Sequence, residues 1–257
     1  MMDRWTLKGK VALITGGTKG IGKAIVEELL AKEANVIFVA RDKQLIDEQL
    51  ALFKSSFPDQ KIEGFQADVN NKEEINKAID FIKADFGKLD ILVNNVGTNI
   101  RKPALEYEES EIQHIFQTNL LSSFNLTMCC HELLKKSETG SVVFISSVAG
   151  QTHLRTGAIY AMSKAAMDQL TKNLAVEWAK DNIRVNSVAP WYIDTPLAKS
   201  VLENKSYFNN VIERTPLGRI GGTFEVAGLV TFLCLPIAGF ITGQSIAVDG
   251  GFTVYGF

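Results

Sequence analysis

The sequence predicts a doubly wound α/β domain, a seven-stranded parallel sheet with helices on both faces, and three observations predict it. Short runs rich in Val, Ile and Phe recur between longer segments of helical period. Strand and helix alternate strictly, which is the connectivity of a parallel sheet buried on both sides. No Pro/Ser-rich linker, charge block or repeat of about 20 to 50 residues interrupts the pattern, so residues 1–257 read as a single domain.

The first unit pairs Val11–Thr15 (VALIT), a continuous apolar run of the kind that a strand buried on both faces shows, with a helix over Ile21–Ala34. Val36–Ala40 (VIFVA) and Lys43–Phe57 form the second unit, Ile62–Gln66 and Lys72–Phe86 the third. Ile91–Val93 leads to a long periodic segment, Glu108–Lys135, and the acidic run Glu106–Glu111 suits its N-terminus through the helix macrodipole. Ser141–Ser146 precedes a helix over Ala158–Lys180, and Arg184–Val188 is the sixth strand. Near Thr195–Gly222 the helical pattern weakens and Pro and Gly collect, so this stretch reads as an irregular insertion beside the substrate. Glu225–Leu235 returns to helix and Ser245–Val248 completes the sheet.

A chain of this length can bury roughly 70–75% of the surface that its unfolded form exposes, enough for a full core. Lys plus Arg number 27 and Asp plus Glu 29, a net charge of −2 that offers no global field for nucleic acid or an anionic membrane. The longest apolar stretch, Val226 to Ile241, is broken by Pro236 and Gly239 and is too short to span a bilayer. Cys129, Cys130 and Cys234 form neither a disulfide framework nor a spaced metal motif, and MMDRWTLKGK carries no apolar signal region. A cytoplasmic protein is expected. His114, His131 and His153 lack the spacing of a metal site, and no metal is expected.

The first strand runs into Thr15-Gly16-Gly17-Thr18-Lys19-Gly20-Ile21-Gly22 and then a helix. A pyrophosphate must come close to the backbone and accept from free N–H groups at a helix N-terminus, and Gly16, Gly20 and Gly22 remove the Cβ atoms that would block it. Arg41 ends the second strand, where an acid would bind ribose hydroxyls and an Arg pairs instead with a 2′-phosphate. Arg41 and the nearby Lys19 favour NADP(H), and the adjacent Asp42 leaves NAD(H) as the alternative. Asp68 and the run Asn94-Asn95-Val96-Gly97 also fall at strand C-terminal ends, where such sheets bind ligands.

Ser147 follows the fifth strand, and Tyr160 and Lys164 share one helix face. A free phenol has a pKa of about 10, too high for proton exchange near neutrality, and the Lys164 ammonium is expected to lower it. Ser147 can donate to a substrate oxygen on which negative charge develops. Together with the glycine-rich turn, the three side chains form the acid/base half of a hydride-transfer site.

Across essentially its whole length the chain resembles the short-chain dehydrogenase/reductase family. The residues that carry the resemblance are Thr15-Gly16-x-x-x-Gly20-x-Gly22, Asp68, Asn94-Asn95-Val96-Gly97, Asn119, Ser147, Tyr160-x-x-x-Lys164, Asn186, Pro190, Thr195 and Asp249-Gly250-Gly251. The resemblance implies a seven-stranded Rossmann sheet in a homotetramer or homodimer, with Asn119 holding a water in the proton relay. It also implies that Lys164 binds the nicotinamide ribose and that Ile193 and Thr195 contact the carboxamide, with Thr18, Ile21, Val69, Asn95, Gly97, Tyr160 and Pro190 completing the cofactor site. Within the family, Phe144 to Gly150, Met167 to Thr171, Glu177 to Asn186 and Thr242 to Thr253 are similar to tropinone-reductase-like proteins. Val96 and Trp191 depart from the family's usual Ala and Gly, and Trp191 is expected to crowd or line the pocket.

The loops after strands four to six supply Asn99, Arg101, His153, Arg155 and Trp191 as candidate substrate contacts, and the two arginines point to an anionic group. The expected activity is hydride transfer between NADP(H) and a ketone or secondary alcohol, with Tyr160 as the proton-transfer residue. The alternatives are a 3-oxoacyl-thioester (acyl carrier protein) reductase and a non-catalytic NADP-sensing protein.

Overall fold

In β1 (Val11–Thr15) successive side chains point to opposite faces of the sheet, and both sets are apolar: Ala12 and Ile14 enter one core, Val11 and Leu13 the other. A computed structural model describes residues 4–256; residues 1–3 and 257 of the expected domain lie outside the described residues. Seven parallel strands stand in the order β3-β2-β1-β4-β5-β6-β7: β2 (Asn35–Ala40), β3 (Ile62–Gln66), β4 (Ile91–Asn94), β5 (Gly140–Ile145), β6 (Ile183–Pro190) and β7 (Ser245–Val248). The doubly wound α/β fold that the alternation predicts is the fold that forms.

The first core joins the sheet to α1 (Gly20–Ala31), α2 (Lys43–Ser56) and α9 (Thr223–Cys234) through residues such as Ile25, Leu29, Phe53 and Val230. The second joins it to α3 (Lys72–Asp85), α5 (Ser122–Lys135) and α6 (Ala158–Glu177) through Ile82, Leu126, Leu134 and Met167. Phe38 on β2 is fully buried and meets Phe53 edge-on, with ring centroids 5.7 Å apart. At the N-terminal edge of the sheet, the buried Asp90 carboxylate accepts from Val11 N at 2.9 Å and lies 3.1 Å from Lys10 Nζ, locking β1 to β4 at the end away from the ligand crevice. Among the described residues no helix is long and apolar enough to cross a membrane.

Three elements differ from the sequence reading. The segment expected as one helix, Glu108–Lys135, is α4 (Glu109–Phe116) and α5 joined by a π-helical turn, Gln117–Leu121. The turn widens the helix at Asn119, and π-bulges of this kind often mark functional positions. The irregular insertion folds as α7 (Pro196–Leu202) and α8 (Lys205–Glu213), each opened by a side-chain cap: Thr195 Oγ1 accepts from Ala198 N at 3.2 Å and Asn204 Oδ1 from Tyr207 N at 3.0 Å. Pro196 sits at the first helical position, where its missing N–H costs nothing. β6 runs past Val188 to Pro190 because Ala189 and Pro190 keep register with Ala247 and Val248 of β7.

Candidate active site

The strand order reverses at β1, which has β2 on one side and β4 on the other, so the loops leaving β1 and β4 diverge from a crevice at the carboxyl edge of the sheet. Thr15 and Asn95 knit the two loops together. The Thr15 hydroxyl accepts from Asn95 N at 2.9 Å and Val96 N at 3.2 Å, and Asn95 Nδ2 donates to the Thr15 carbonyl at 2.8 Å. Gly16 takes a φ of +73°, which turns the chain from strand to helix. A Cβ on Gly22 would lie 2.1 Å from the Gly16 carbonyl oxygen, so only glycine lets the first turn of α1 close on the loop.

Lys19, the N-cap residue of α1, makes no side-chain cap, which leaves the N–H groups of the first turn pointing out of the helix end. Thr18 is buried beneath this loop and Ile21 is half-buried on the first turn. Lys19 and Arg41 are exposed, and neither forms an ion pair among the described residues. Asp68 and Val69, half-buried after β3, lie along the same edge; Asp68 Oδ1 accepts from Asn70 N at 2.9 Å. An uncapped helix end behind a glycine cradle fits the pyrophosphate of a nicotinamide dinucleotide.

Thr195 closes the cradle from the other side, its Cγ2 3.4 Å from where a Cβ on Gly20 would stand. Ile193 is buried and bridges in parallel to Gly221, and the Pro190 carbonyl receives the Ser147 hydroxyl at 3.5 Å. These residues bring the end of β6 over the crevice.

Ser147 begins a 3₁₀ turn, Val148–Gly150, that β5 feeds directly, and its Oγ accepts from Ala149 N at 3.1 Å. Tyr160 lies in the first turn of α6, entered through Gly157 at φ +91°. The Ser147 and Tyr160 hydroxyls face one another. Burial raises the Tyr160 phenol above its usual value, while the Ser147 hydroxyl and the Arg101 guanidinium pull it down. Lys164 is buried at 3% exposure, donates from Nζ to the Ile145 carbonyl at 2.7 Å, and lies 5.6 Å from the centre of the Tyr160 ring. Burial depresses its ammonium to about 8, against the opposing pull of Asp168. The expected lowering of Tyr160 by Lys164 is therefore corrected: the groups that lower the phenol are Ser147 and Arg101, and burial outweighs both.

Asn119, in the π turn, is wholly buried. Its Oδ1 accepts from Thr98 N and its Nδ2 donates to the Thr98 carbonyl and to Ser163 Oγ, so the side-chain amide is occupied by protein groups. Gly97 stands between Asn119 and Lys164: a Cβ there would be 3.5 Å from Asn119 Oδ1 and 3.4 Å from Lys164 Nζ.

The substrate candidates separate into two sets. Asn99 lies against Gly157 near Tyr160, and Arg101 faces the Tyr160 and Tyr192 hydroxyls. Arg155 stands 6.0 Å from the Tyr207 ring, and His153 is exposed without a hydrogen-bond or ion-pair partner among the described residues. Trp191 lines a pocket beside Tyr192 and Ile193; its ring stacks on Phe252 at 3.7 Å and its Nε1 donates to Thr215 Oγ1 at 3.0 Å. Asn186 and Asp249, motif residues in the sequence, also bind backbone: Asn186 Nδ2 donates to the Ile241 carbonyl, and the Asp249 carboxylate accepts from Gly251 N and Thr253 N.

Sequence reading missed Tyr192 and Tyr207, whose hydroxyls meet at 2.7 Å over the cleft, and Ser163, which holds Asn119. Ser163 had a signal, since it follows Tyr160 by one helical turn; the tyrosine pair had none, because α8 brings Tyr207 back to β6 only in three dimensions. Among the described residues no group of three or more His, Cys, Asp or Glu is placed to hold a metal ion.

A family profile described as enoyl-(acyl carrier protein) reductase matches residues 16–253. A tropinone reductase homolog of Arabidopsis thaliana is 51% identical over 99% of this chain and 96% of its own. The structure of a gluconate 5-dehydrogenase from Burkholderia cenocepacia, in complex with NADP and tartrate, superposes with a TM-score of 0.93 at 30% identity over 99% of both chains. L-sorbose reductase from Gluconobacter frateurii, complexed with NADPH and L-sorbose, gives 0.91 at 30% identity over 97% of this chain and 98% of its own. With the glycine cradle, the Ser147–Tyr160–Lys164 cluster and these full-length matches in agreement, the chain belongs to the short-chain dehydrogenase/reductase family and is an oxidoreductase acting on CH–OH or C=O groups.

Proposed function

We propose that this protein is an NADP(H)-dependent oxidoreductase that interconverts a ketone and a secondary alcohol, with Tyr160 as the proton-transfer residue. The observation that carries the reading is the facing pair of Ser147 and Tyr160 hydroxyls, beside the buried Lys164 and at the same sheet edge as the glycine cradle. Gly16, Gly20 and Gly22 would admit the pyrophosphate, Arg41 and Lys19 would pair with a 2′-phosphate, and Ile193 and Thr195 would face the nicotinamide end. When bound, the nicotinamide supplies or accepts the hydride. The NADP and NADPH carried by two of the structural relatives support NADP(H) over NAD(H).

In reduction the Tyr160 hydroxyl gives its proton to the carbonyl oxygen while the Ser147 hydroxyl donates to that oxygen as charge develops. A phenol raised by burial is protonated at neutral pH, the state that reduction needs. Lys164 is held by the Ile145 carbonyl with its Nζ 5.6 Å from the centre of the Tyr160 ring, where it would donate to the nicotinamide ribose. Asn119 fixes the loop after β4 at Thr98, which sets the floor of the cleft.

The exposed apolar side chains Leu121, Phe124, Met162 and Val176, on the π turn, α5 and α6, support assembly as a homotetramer or homodimer, which light scattering after gel filtration would measure. Three free cysteines, two of them buried, support a reducing compartment such as the cytoplasm. The test of the activity is NADPH oxidation against a panel of cyclic, steroidal, acidic and acyl-thioester ketones, with NADH in parallel. Turnover with NADPH that disappears in Tyr160→Phe is expected; nucleotide binding without turnover of any ketone would sink the reading.

A further inference from the structure

The loop after β4 carries two neighbouring cations that face different ways. Lys102 takes the local acids: its Nζ is 2.6 Å from Glu111, and Glu106 and Glu108 lie in its field. Arg101 is half-buried and turns inward, toward the hydroxyls of Tyr160 and Tyr192. Among the described residues no carboxylate pairs with it. The loop is fixed just before it at two points, at Thr98 by Asn119 and at the Ile100 carbonyl by the Tyr107 hydroxyl. A guanidinium that has lost part of its water and faces only neutral phenols is poised for an anionic acceptor, which it binds best through two parallel N–H bonds.

A second observation points into the same space. Asn99 Oδ1 is buried without a hydrogen-bond partner, and it would stand 3.4 Å from a Cβ on Gly157, a point that lies 3.9 Å from Tyr160 Cβ. A buried acceptor left unmade costs free energy, so a donor from outside the chain belongs there. The Tyr192 and Tyr207 hydroxyls lie 2.7 Å from each other, with the exposed Arg155 over the Tyr207 ring as a second cation.

We infer that the substrate is a small oxo acid that also carries a neighbouring hydroxyl, or the dihydroxy acid in the reverse direction, whose carboxylate is held by Arg101 and whose non-reacting hydroxyl donates to Asn99. The inference rests on Tyr160 as the group that protonates the carbonyl. Because Arg101 and Asn99 both lie beside Tyr160, the carboxylate and the hydroxyl sit within a few carbons of the reacting carbonyl. Arg101 also acts on the Tyr160 phenol, so its removal slows every ketone; the preference for charge is what isolates its binding role.

The test compares short oxo acids with their primary amides and methyl esters, with and without a neighbouring hydroxyl, in the wild type, Arg101→Gln, Arg101→Lys and Arg155→Gln. The expected result is a kcat/KM at least tenfold higher for acids than for amides. That ratio should collapse in Arg101→Gln, return in part in Arg101→Lys and survive in Arg155→Gln. Equal turnover of acids and amides, or a ratio untouched by Arg101→Gln, would overturn the inference while leaving the oxidoreductase reading intact. Calorimetry with saturated hydroxy dicarboxylates on the NADP⁺-loaded protein provides a readout without turnover. Binding that Arg101→Gln abolishes supports the anion site even if no ketone in the panel reacts, and binding that Arg101→Gln leaves unchanged removes it.

Discussion

Asn119 holds Thr98 by both ends of its amide: Oδ1 accepts from the Thr98 N–H at 2.7 Å, and Nδ2 donates to the Thr98 carbonyl at 2.9 Å. The pair ties the π turn between α4 and α5 to the loop after β4, and through that loop to Gly97, Asn99 and Arg101. Asn119→Leu strands both backbone groups of Thr98, each worth about 1–3 kcal/mol when left unsatisfied. Chemical denaturation should therefore show a clear loss of stability. Activity should fall further, roughly 100-fold in kcat/KM, because the loop beside Tyr160 loses its register. A variant with wild-type kcat/KM would show that the tie does not position the site.

Gly22 stands so close to the Gly16 carbonyl that an added methyl group must move one of them. Gly22→Ala should weaken NADPH binding, measured by nucleotide fluorescence, by a factor of about 10 or more, since a displaced loop no longer presents its N–H groups to phosphate. Unchanged affinity would place the dinucleotide elsewhere.

The cradle, the sheet and the Ser147, Tyr160 and Lys164 cluster were legible because each depends on local spacing: a glycine turn after VALIT, a Ser at the end of a strand, a Tyr and Lys one helical turn apart. The π turn at Gln117–Leu121 was not, since its extra residue leaves the apolar period of Glu108–Lys135 nearly intact. α7 and α8 escaped because seven- and nine-residue helices carry too few turns for a period to emerge, although Thr195-Pro196 and Asn204 were readable caps. The stack of Trp191 on Phe252 was not legible, because its partner comes from the far end of the chain. The sign of the Tyr160 shift depended on burial, which no spacing reports.

Arg41 and Lys19 are the unpaired cations outside the cradle. Charge-assisted bonds to a 2′-phosphate are worth about 1.5–3 kcal/mol each. The double variant Arg41→Asp with Lys19→Ala should cut the NADPH-to-NADH ratio of kcat/KM by roughly 100-fold. A ratio that stays put would mean that other residues read the phosphate.

Tyr160 lies above its ordinary value, and Ser147 is the larger of the two groups that lower it. Reduction uses the protonated phenol and oxidation the phenolate. The reductive rate should therefore hold through neutral pH and decline only in alkali, while the oxidative rate climbs as pH rises. In Ser147→Ala the alkaline limb of oxidation should move to higher pH, on top of any loss in rate. A limb that shifts downward or not at all would show that another group sets it.

Lys164 offers a test that needs no substrate. Its ammonium is depressed to about 8 in the folded protein, against an ordinary value of 10.5. Below pH 8 both folded and unfolded chains carry the proton, so the cost of burying the charge is present in full. Between 8 and 10.5 the unfolded chain binds more protons than the folded one, and stability rises with pH as that cost is relieved. At 1.36 kcal/mol per pKa unit the relief is about 3 kcal/mol. Lys164→Met abolishes it, so across this window the wild type should gain about that much stability relative to the variant, measured by urea unfolding at a series of pH values. Turnover should be lost at every pH in the variant. Parallel stability curves for the two proteins would show that the Lys164 ammonium is solvated in the native state, and the burial cost assigned to it would fall with that result.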